Sequence, residues 1–246
     1  MSHQITVHHL NSSRSERLFW VLEELGLPYN VKVHFRTETN SSPKSLLDIS
    51  PTGKSPCLEL DGEILTESSF IVHKLLNLPD VKDKSNTVNL IETEQDNFWS
   101  HYAEASMLNL MQSTAIIKVM STTWIQGKTD DENGNNLNEG NKKAVQDFTS
   151  YLTGKVIGSQ LQQSINFAEK FLTKENSTGW FSGTENPGEG DFLMFFAINA
   201  FVAGKAKGVF QIGEGFKGWH KRVMERPAAQ KAVKREQDEL AKAQSA

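Results

Sequence analysis

The stretch "VHHLNSSRSERLFWVLEELGLPY" (Val7–Tyr29) decides the fold. Its start continues "QITVHHL", in which Ile5 and Val7 alternate onto one face with the period of a strand. Leu18, Val21, Leu22 and Leu25 then recur at i, i+3, i+4 and i+7, the stripe of an amphipathic helix. Gly26 stands as its stop and Pro28 bars its continuation. Between strand and helix lie Asn11, Ser12 and Ser13, N-cap candidates, followed by Arg14 and Arg17. At such a junction the first backbone N–H groups of a helix lack partners and favour a negative charge. The fold therefore poses a question of function: which anion sits there.

Working outward, "YNVKVHF" alternates again, and strand, helix, strand implies a parallel crossover. "SSPKSLLDI" is a short helix at best. "CLELDGEILTE" reads as a hairpin around Asp61-Gly62, and a helix from about Ser68 to Leu78 follows. The order β-α-β-α-β-β-α makes residues 1–79 a small α/β unit. Residues 80–87 read as a linker. From residue 88 to 246 the apolar spacing is helical, over Val88–Val119, Ala144–Leu172, Asp191–Ala203, Phe216–Glu225 and Ala228–Ala243. This half is expected to be all-α, interrupted by a polar insert at about 126–143 that reads as a loop.

The chain has 246 residues and a formal net charge of −4, so no basic excess is available for nucleic acid. One cysteine, Cys57, excludes a disulfide within the chain and points to a reducing, cytoplasmic setting. No run of about 18 apolar residues offers a membrane span. His8 and His9 are adjacent on a strand and point to opposite faces, which argues against a shared metal site. Cys57 reads as a small buried hydrophobe.

Two further segments carry chemistry. In "TGKSPCLEL", a cis Pro56 would turn the Ser55 backbone outward to pair with an extended peptide; a trans proline at a strand start is the plain alternative. In "LTESSFI", Ser68 and a helix N-terminus suit a carboxylate, and Glu67 suits an ammonium. Side by side they match an amino-acid head group, although an ordinary helix cap would look the same.

Together "SSRSERLFWVLEELGLPY", "SPTGKSPCLELDG" and "LTESSFIVHKLL" resemble the glutathione transferase family. In "NPGEGDFLMFF" the family's capping motif is similar, but Gly188 stands where the hydroxyl belongs and only Asp191 remains. The resemblance implies a thioredoxin-like N-terminal domain, an all-helical C-terminal domain and a homodimer, to which Phe70 and Val72 would add apolar surface. It implies glutathione, γ-Glu-Cys-Gly, as co-substrate, a hydrophobic electrophile as acceptor and no other cofactor. By position, Glu67 and Ser68 would hold the γ-glutamyl head, Ser55 beside Pro56 the cysteinyl backbone, and Lys54 the glycine carboxylate. The anion at the helix start would be the glutathione thiolate, with Arg14 and Arg17 as attracting charges. A free thiol is only about 3% ionised at pH 7, and lowering its pKa by about two units needs about 2.7 kcal/mol. One hydroxyl donor to a charged acceptor supplies roughly 1.5–3 kcal/mol, so one serine and helix N–H groups suffice without a metal. Ser12, Ser13 and Asn11 all remain candidates for that donor. The implied activity is conjugation to electrophiles or glutathione-dependent peroxide reduction; a binding or regulatory module on the same fold is the alternative.

Overall fold

A computed structural model describes residues 3–50, 52–82, 87–128, 137–175 and 178–245. Strand β1 (Ile5–Leu10), helix α1 (Glu16–Glu24), β2 (Asn30–His34), the short α2 (Lys44–Leu47), β3 (Cys57–Leu60), β4 (Glu63–Thr66) and α3 (Ser68–Leu76) follow in the anticipated order. They build one four-stranded sheet in the order β2-β1-β3-β4. β1 runs parallel to β2, with Val7 opposite Val31, and antiparallel to β3, with Val7 opposite Leu58. Asp61 and Gly62 both have positive φ, as a two-residue hairpin demands. Gly26 has φ +63°, and the Leu27 N–H reaches the Leu22 carbonyl at 3.1 Å, closing α1 with a left-handed glycine.

The remainder is helical: α4 (Pro79–Lys82), α5 (Glu94–Tyr102), α6 (Asn109–Ile125), α7 (Glu139–Tyr151), α8 (Ile157–Lys170), α9 (Glu189–Val202), α10 (Glu214–Met224) and α11 (Pro227–Gln244). Single π-helical stretches, Ala103–Leu108 and Leu152–Val156, join α5 to α6 and α7 to α8, which is why each pair reads as one long pattern in sequence. Two of the expected stretches carry helix at one end. The expected linker opens as α4, and the C-terminal end of the expected polar insert, from Glu139, is the first turn of α7; residues 83–86 and 129–136 lie outside the described residues. Glu139 enters that helix because Asn138 caps it, accepting from the Asn141 N–H at 2.9 Å.

Helix α1 is not amphipathic in its surroundings. Residues 17–22 are all buried: Leu18, Val21 and Leu22 as the stripe anticipates, and Phe19 and Trp20 on the other side. Trp20 meets Phe192 and Phe195 of α9 and Trp219 of α10, and α11 lies along α1. The helical half thus covers the face of α1 that the sheet leaves open.

Gly188, the N-cap of α9, occupies the place of the missing hydroxyl for a steric reason. The Asp96 carboxylate of α5 sits where a side chain at 188 would go, and it accepts the Glu189 N–H at 3.0 Å and the Gly190 N–H at 2.8 Å. The cap is supplied by a different helix. Asp191 accepts from the N–H groups of Gly188, Phe181 and Ser182 and from Trp219 Nε1. Burial, first of all, raises both carboxyls, Asp96 to about 7.

Candidate functional site

The turn between β1 and α1 is wound by local bonds, the Glu16 N–H to the Ser13 carbonyl and the Arg17 N–H to that of Arg14, each 3.3 Å. The N-cap of α1 is Ser15, not Asn11, Ser12 or Ser13. Its hydroxyl does not cap the helix because it is engaged elsewhere: Ser15 Oγ lies 2.8 Å from His9 Nδ1 and 2.8 Å from Ser13 Oγ. Ser13 Oγ continues the chain to Ser55 Oγ at 2.9 Å. Ser13, Ser15, Ser55 and His9 are all buried.

The three candidate donors are thereby separated. Asn11 Oδ1 accepts the Arg36 N–H at 2.8 Å, so its carboxamide fastens the segment after β2. Ser12 is exposed, has φ +54°, and accepts from Lys205 Nζ at 2.8 Å. Ser13 alone of the three lies against Ser55. The Ser55–Pro56 bond is cis, and the structure assigns the Ser55 amide and carbonyl no backbone hydrogen bond among the described residues. Lys54 is exposed beside it.

Glu67, exposed, precedes α3 with φ +66° and ψ +118°, a strained conformation for a non-glycine residue. Ser68 opens α3 and is buried; its Oγ accepts from Arg17 Nη2 at 2.5 Å. Arg17 is not a solvated helix-start charge. Fully buried, it also reaches Glu104 at 2.6 Å and the Leu193 carbonyl at 2.9 Å, and Arg14 joins Glu104 at 3.1 Å. One guanidinium therefore ties α1, α3, α9 and the stretch after α5 around the head-group candidates. Sequence reasoning passed over Ser15, Glu104 and Lys205, and set His9 aside with His8. Ser15 stands within the quoted stretch; Glu104 and Lys205 carry no local signal, since only the fold brings them to the turn.

His8 and His9 do face opposite ways, His8 to His34 at 3.3 Å and His9 to the edge of Phe19. Cys57 is buried with Leu10 and Leu46, and burial raises its thiol to about 11. Among the described residues no three His, Cys, Asp or Glu side chains are placed to hold a metal ion, and no helix is long and apolar enough to cross a membrane.

Residues 11–78, the turn, the cis-proline loop and the start of α3, match the family model described as glutathione S-transferase, N-terminal domain. Glutathione S-transferase 3 of Schizosaccharomyces pombe is 27% identical over 240 residues, covering 95% of this chain and 88% of that protein. Glutathione S-transferase 1 of Saccharomyces cerevisiae is 33% identical over 109 residues, 42% of this chain and 47% of that one. A solved glutathione S-transferase from Actinobacillus pleuropneumoniae superposes with a TM-score of 0.63 at 24% identity, covering 94% of this chain and 92% of its own. A glutathione transferase from Phanerochaete chrysosporium, solved with oxidized glutathione, reaches 0.68 at 13% identity with 98% of each chain covered. Motifs, chain-long similarity and fold agree on the glutathione transferase family: residues 11–78 match its N-terminal domain, and nearly the whole chain is similar to its members in sequence and fold.

Proposed function

We propose that the protein binds glutathione in the cleft at the α1 turn, holds its sulfur as the thiolate and transfers it to an electrophilic small molecule. The observation that carries this reading is the buried Ser13 hydroxyl against Ser55 at the cis Ser55–Pro56 bond. Ser55's amide and carbonyl, without a backbone partner among the described residues, suit the cysteinyl backbone as an added strand. That docking brings the cysteinyl sulfur to Ser13, whose O–H donates to it. Lys54 suits the glycine carboxylate. At the other end, Ser68 accepts from Arg17 and keeps its own O–H to donate to the γ-glutamyl carboxylate, and Glu67 takes the ammonium. Arg14 and Arg17, neutralised in part by Glu104, act through position more than through net charge. Ser12 and Asn11 are secondary in this reading, since Lys205 and Arg36 engage them.

The test is calorimetric titration of glutathione. Ser68→Ala is expected to stay folded and bind clearly more weakly; unchanged affinity removes Ser68 from the site. A homodimer belongs to the same proposal. Phe70 is 52% exposed on α3 beside a groove of about 460 Å³, lined also by Leu90 and Ile91. Val72, by contrast, is wholly buried within the chain and adds no surface. Light scattering should give twice 27.5 kDa, and Phe70→Glu should halve it; a wild-type monomer at micromolar concentration ends that proposal.

A further inference from the structure

The hydroxyl chain does not end at Ser15. From Ser13 Oγ it passes to Ser15 Oγ (2.8 Å), then to His9 Nδ1 (2.8 Å), and on the far side of the imidazole His9 Nε2 faces Glu236 Oε1 of α11 at 3.3 Å. His9 is fully exposed to no solvent, yet its Nε2 makes no aligned hydrogen bond among the described residues. A buried polar atom in that condition calls for a reason. Glu236 Oε1 is the acceptor within reach of that atom, and the side chain of Glu236 retains 21% exposure, a route to water.

We propose that Glu236 receives the proton of the glutathione thiol through Ser13, Ser15 and His9. The inference rests on the thiol site proposed above. The S–H proton passes to Ser13 Oγ as Ser13 gives its own to Ser15, Ser15 gives its own to His9 Nδ1, and His9 gives its Nε2 proton to the Glu236 carboxylate. One S–H bond is lost and one O–H bond forms on Glu236; thiol becomes thiolate, carboxylate becomes carboxyl, and the total charge is unchanged. After the shift every bond points at sulfur: Glu236 donates to His9, His9 Nδ1–H to Ser15, Ser15 to Ser13, and Ser13 to the thiolate. The thiolate and the protonated Glu236 therefore favour each other.

The surroundings agree with these roles. Burial, with His34 of β2 adding to it, holds His9 down to about 4, so the imidazole relays a proton and does not store one. Burial brings Glu236 up to about 7, where a carboxylate can both accept and return a proton. Glu16 of α1, the other carboxyl at this place, is pushed up to about 8, first by burial and then by Glu236, and takes a hydrogen bond from Asn199 of α9 at 3.3 Å. Glu16 is thus neutral near pH 7 and leaves Glu236 as the charge facing His9. His9, Ser15 and Glu236 are positioning residues here, since only Ser13 would touch the sulfur.

Proton release on binding tests this at pH 7.5, by titrating glutathione calorimetrically into the full-length protein in buffers of different ionisation enthalpy. Thiolate formed is read in parallel from its ultraviolet absorbance. The wild type should release less than about half a proton per thiolate, because Glu236 retains the rest, whereas Glu236→Gln should release about one. His9→Asn, which keeps a polar group near the Nδ1 position, should likewise approach one. S-methylglutathione, with no thiol proton, should release the same small amount from wild type and Glu236→Gln. A wild type that releases one proton per thiolate overturns the relay, as does Glu236→Gln with the wild-type value. No thiolate on the wild type at all instead overturns the thiol site beneath it. If His9→Asn does not fold, Glu236→Gln on the partly exposed helix decides the matter.

Discussion

At the scale of single residues, the cluster of hydroxyls in "NSSRS" resolves into different tasks. Ser12 sits with positive φ and faces Lys205, Ser13 faces Ser55, and Ser15 bridges Ser13 to His9. A lost hydroxyl-to-thiolate bond costs roughly 1.5–3 kcal/mol, equal to about one to two pKa units. Ser13→Ala should therefore raise the midpoint of bound-thiolate absorbance by that amount. Ser12→Ala should leave the midpoint where it is. A shift with Ser12→Ala and none with Ser13→Ala would reverse the assignment. The residue types were legible in the sequence, and their number raised the expectation of a donor site. Which serine faces which neighbour was not, because Ser55 and Lys205 reach the turn only through the fold.

At the scale of elements, α9 shows how a motif can be kept in function while altered in letters. Its N-terminal N–H groups are satisfied by Asp96 from α5 and by its own Asp191. Gly188→Ser should destabilise, although serine is the better N-cap in isolation, because the new side chain presses into the Asp96 carboxylate. Overpacking of this kind costs about 1–3 kcal/mol. Combining Gly188→Ser with Asp96→Ala should be less damaging than the sum of the two, since the new hydroxyl then has room to cap. Denaturant unfolding of the four proteins checks this, and strict additivity would refute the steric account. The helix itself was evident from its apolar run, but a cap borrowed from a helix about 90 residues earlier leaves no local trace.

At the scale of the whole molecule, α1 is the junction where sheet and helical half meet, and its buried polar groups set the pH response. Arg17 joins four segments, so removing it would strip Ser68 and the Leu193 carbonyl of their donor and leave Glu104 with Arg14 alone; leaving buried polar groups unsatisfied in this way typically costs about 1–3 kcal/mol. Glu16, held up to about 8 mainly by burial, binds a proton more tightly in the folded chain than in the unfolded one, where carboxyls titrate near 4.5. Between about pH 4.5 and 8 the folded state holds the extra proton, so stability is fullest at the acid end and declines as pH rises toward 8. Tm should fall across that range. Glu16→Gln, which can still accept from Asn199, should flatten the fall and raise Tm at pH 8.5. An unchanged Tm–pH profile in that variant would show that Glu16 is not the group responsible.

The sequence by itself determined the order of strands and helices, the Asp61-Gly62 hairpin, the glycine stop after α1 and the division into an α/β unit and a helical remainder. Each rests on local physics: side-chain period, backbone freedom and turn chemistry act within a few residues. It also placed the segments of the candidate site, since "NSSRS", "KSP" and "ES" are short and contiguous. Tertiary structure decided the rest. It buried both sides of α1 where one stripe was visible, turned Arg17 from a surface charge into a buried tie, filled the space at Gly188 with Asp96, and set Glu236 against His9. Those outcomes depend on which distant surfaces exclude water together, and burial of that kind is a property of the assembled chain, not of any window along it.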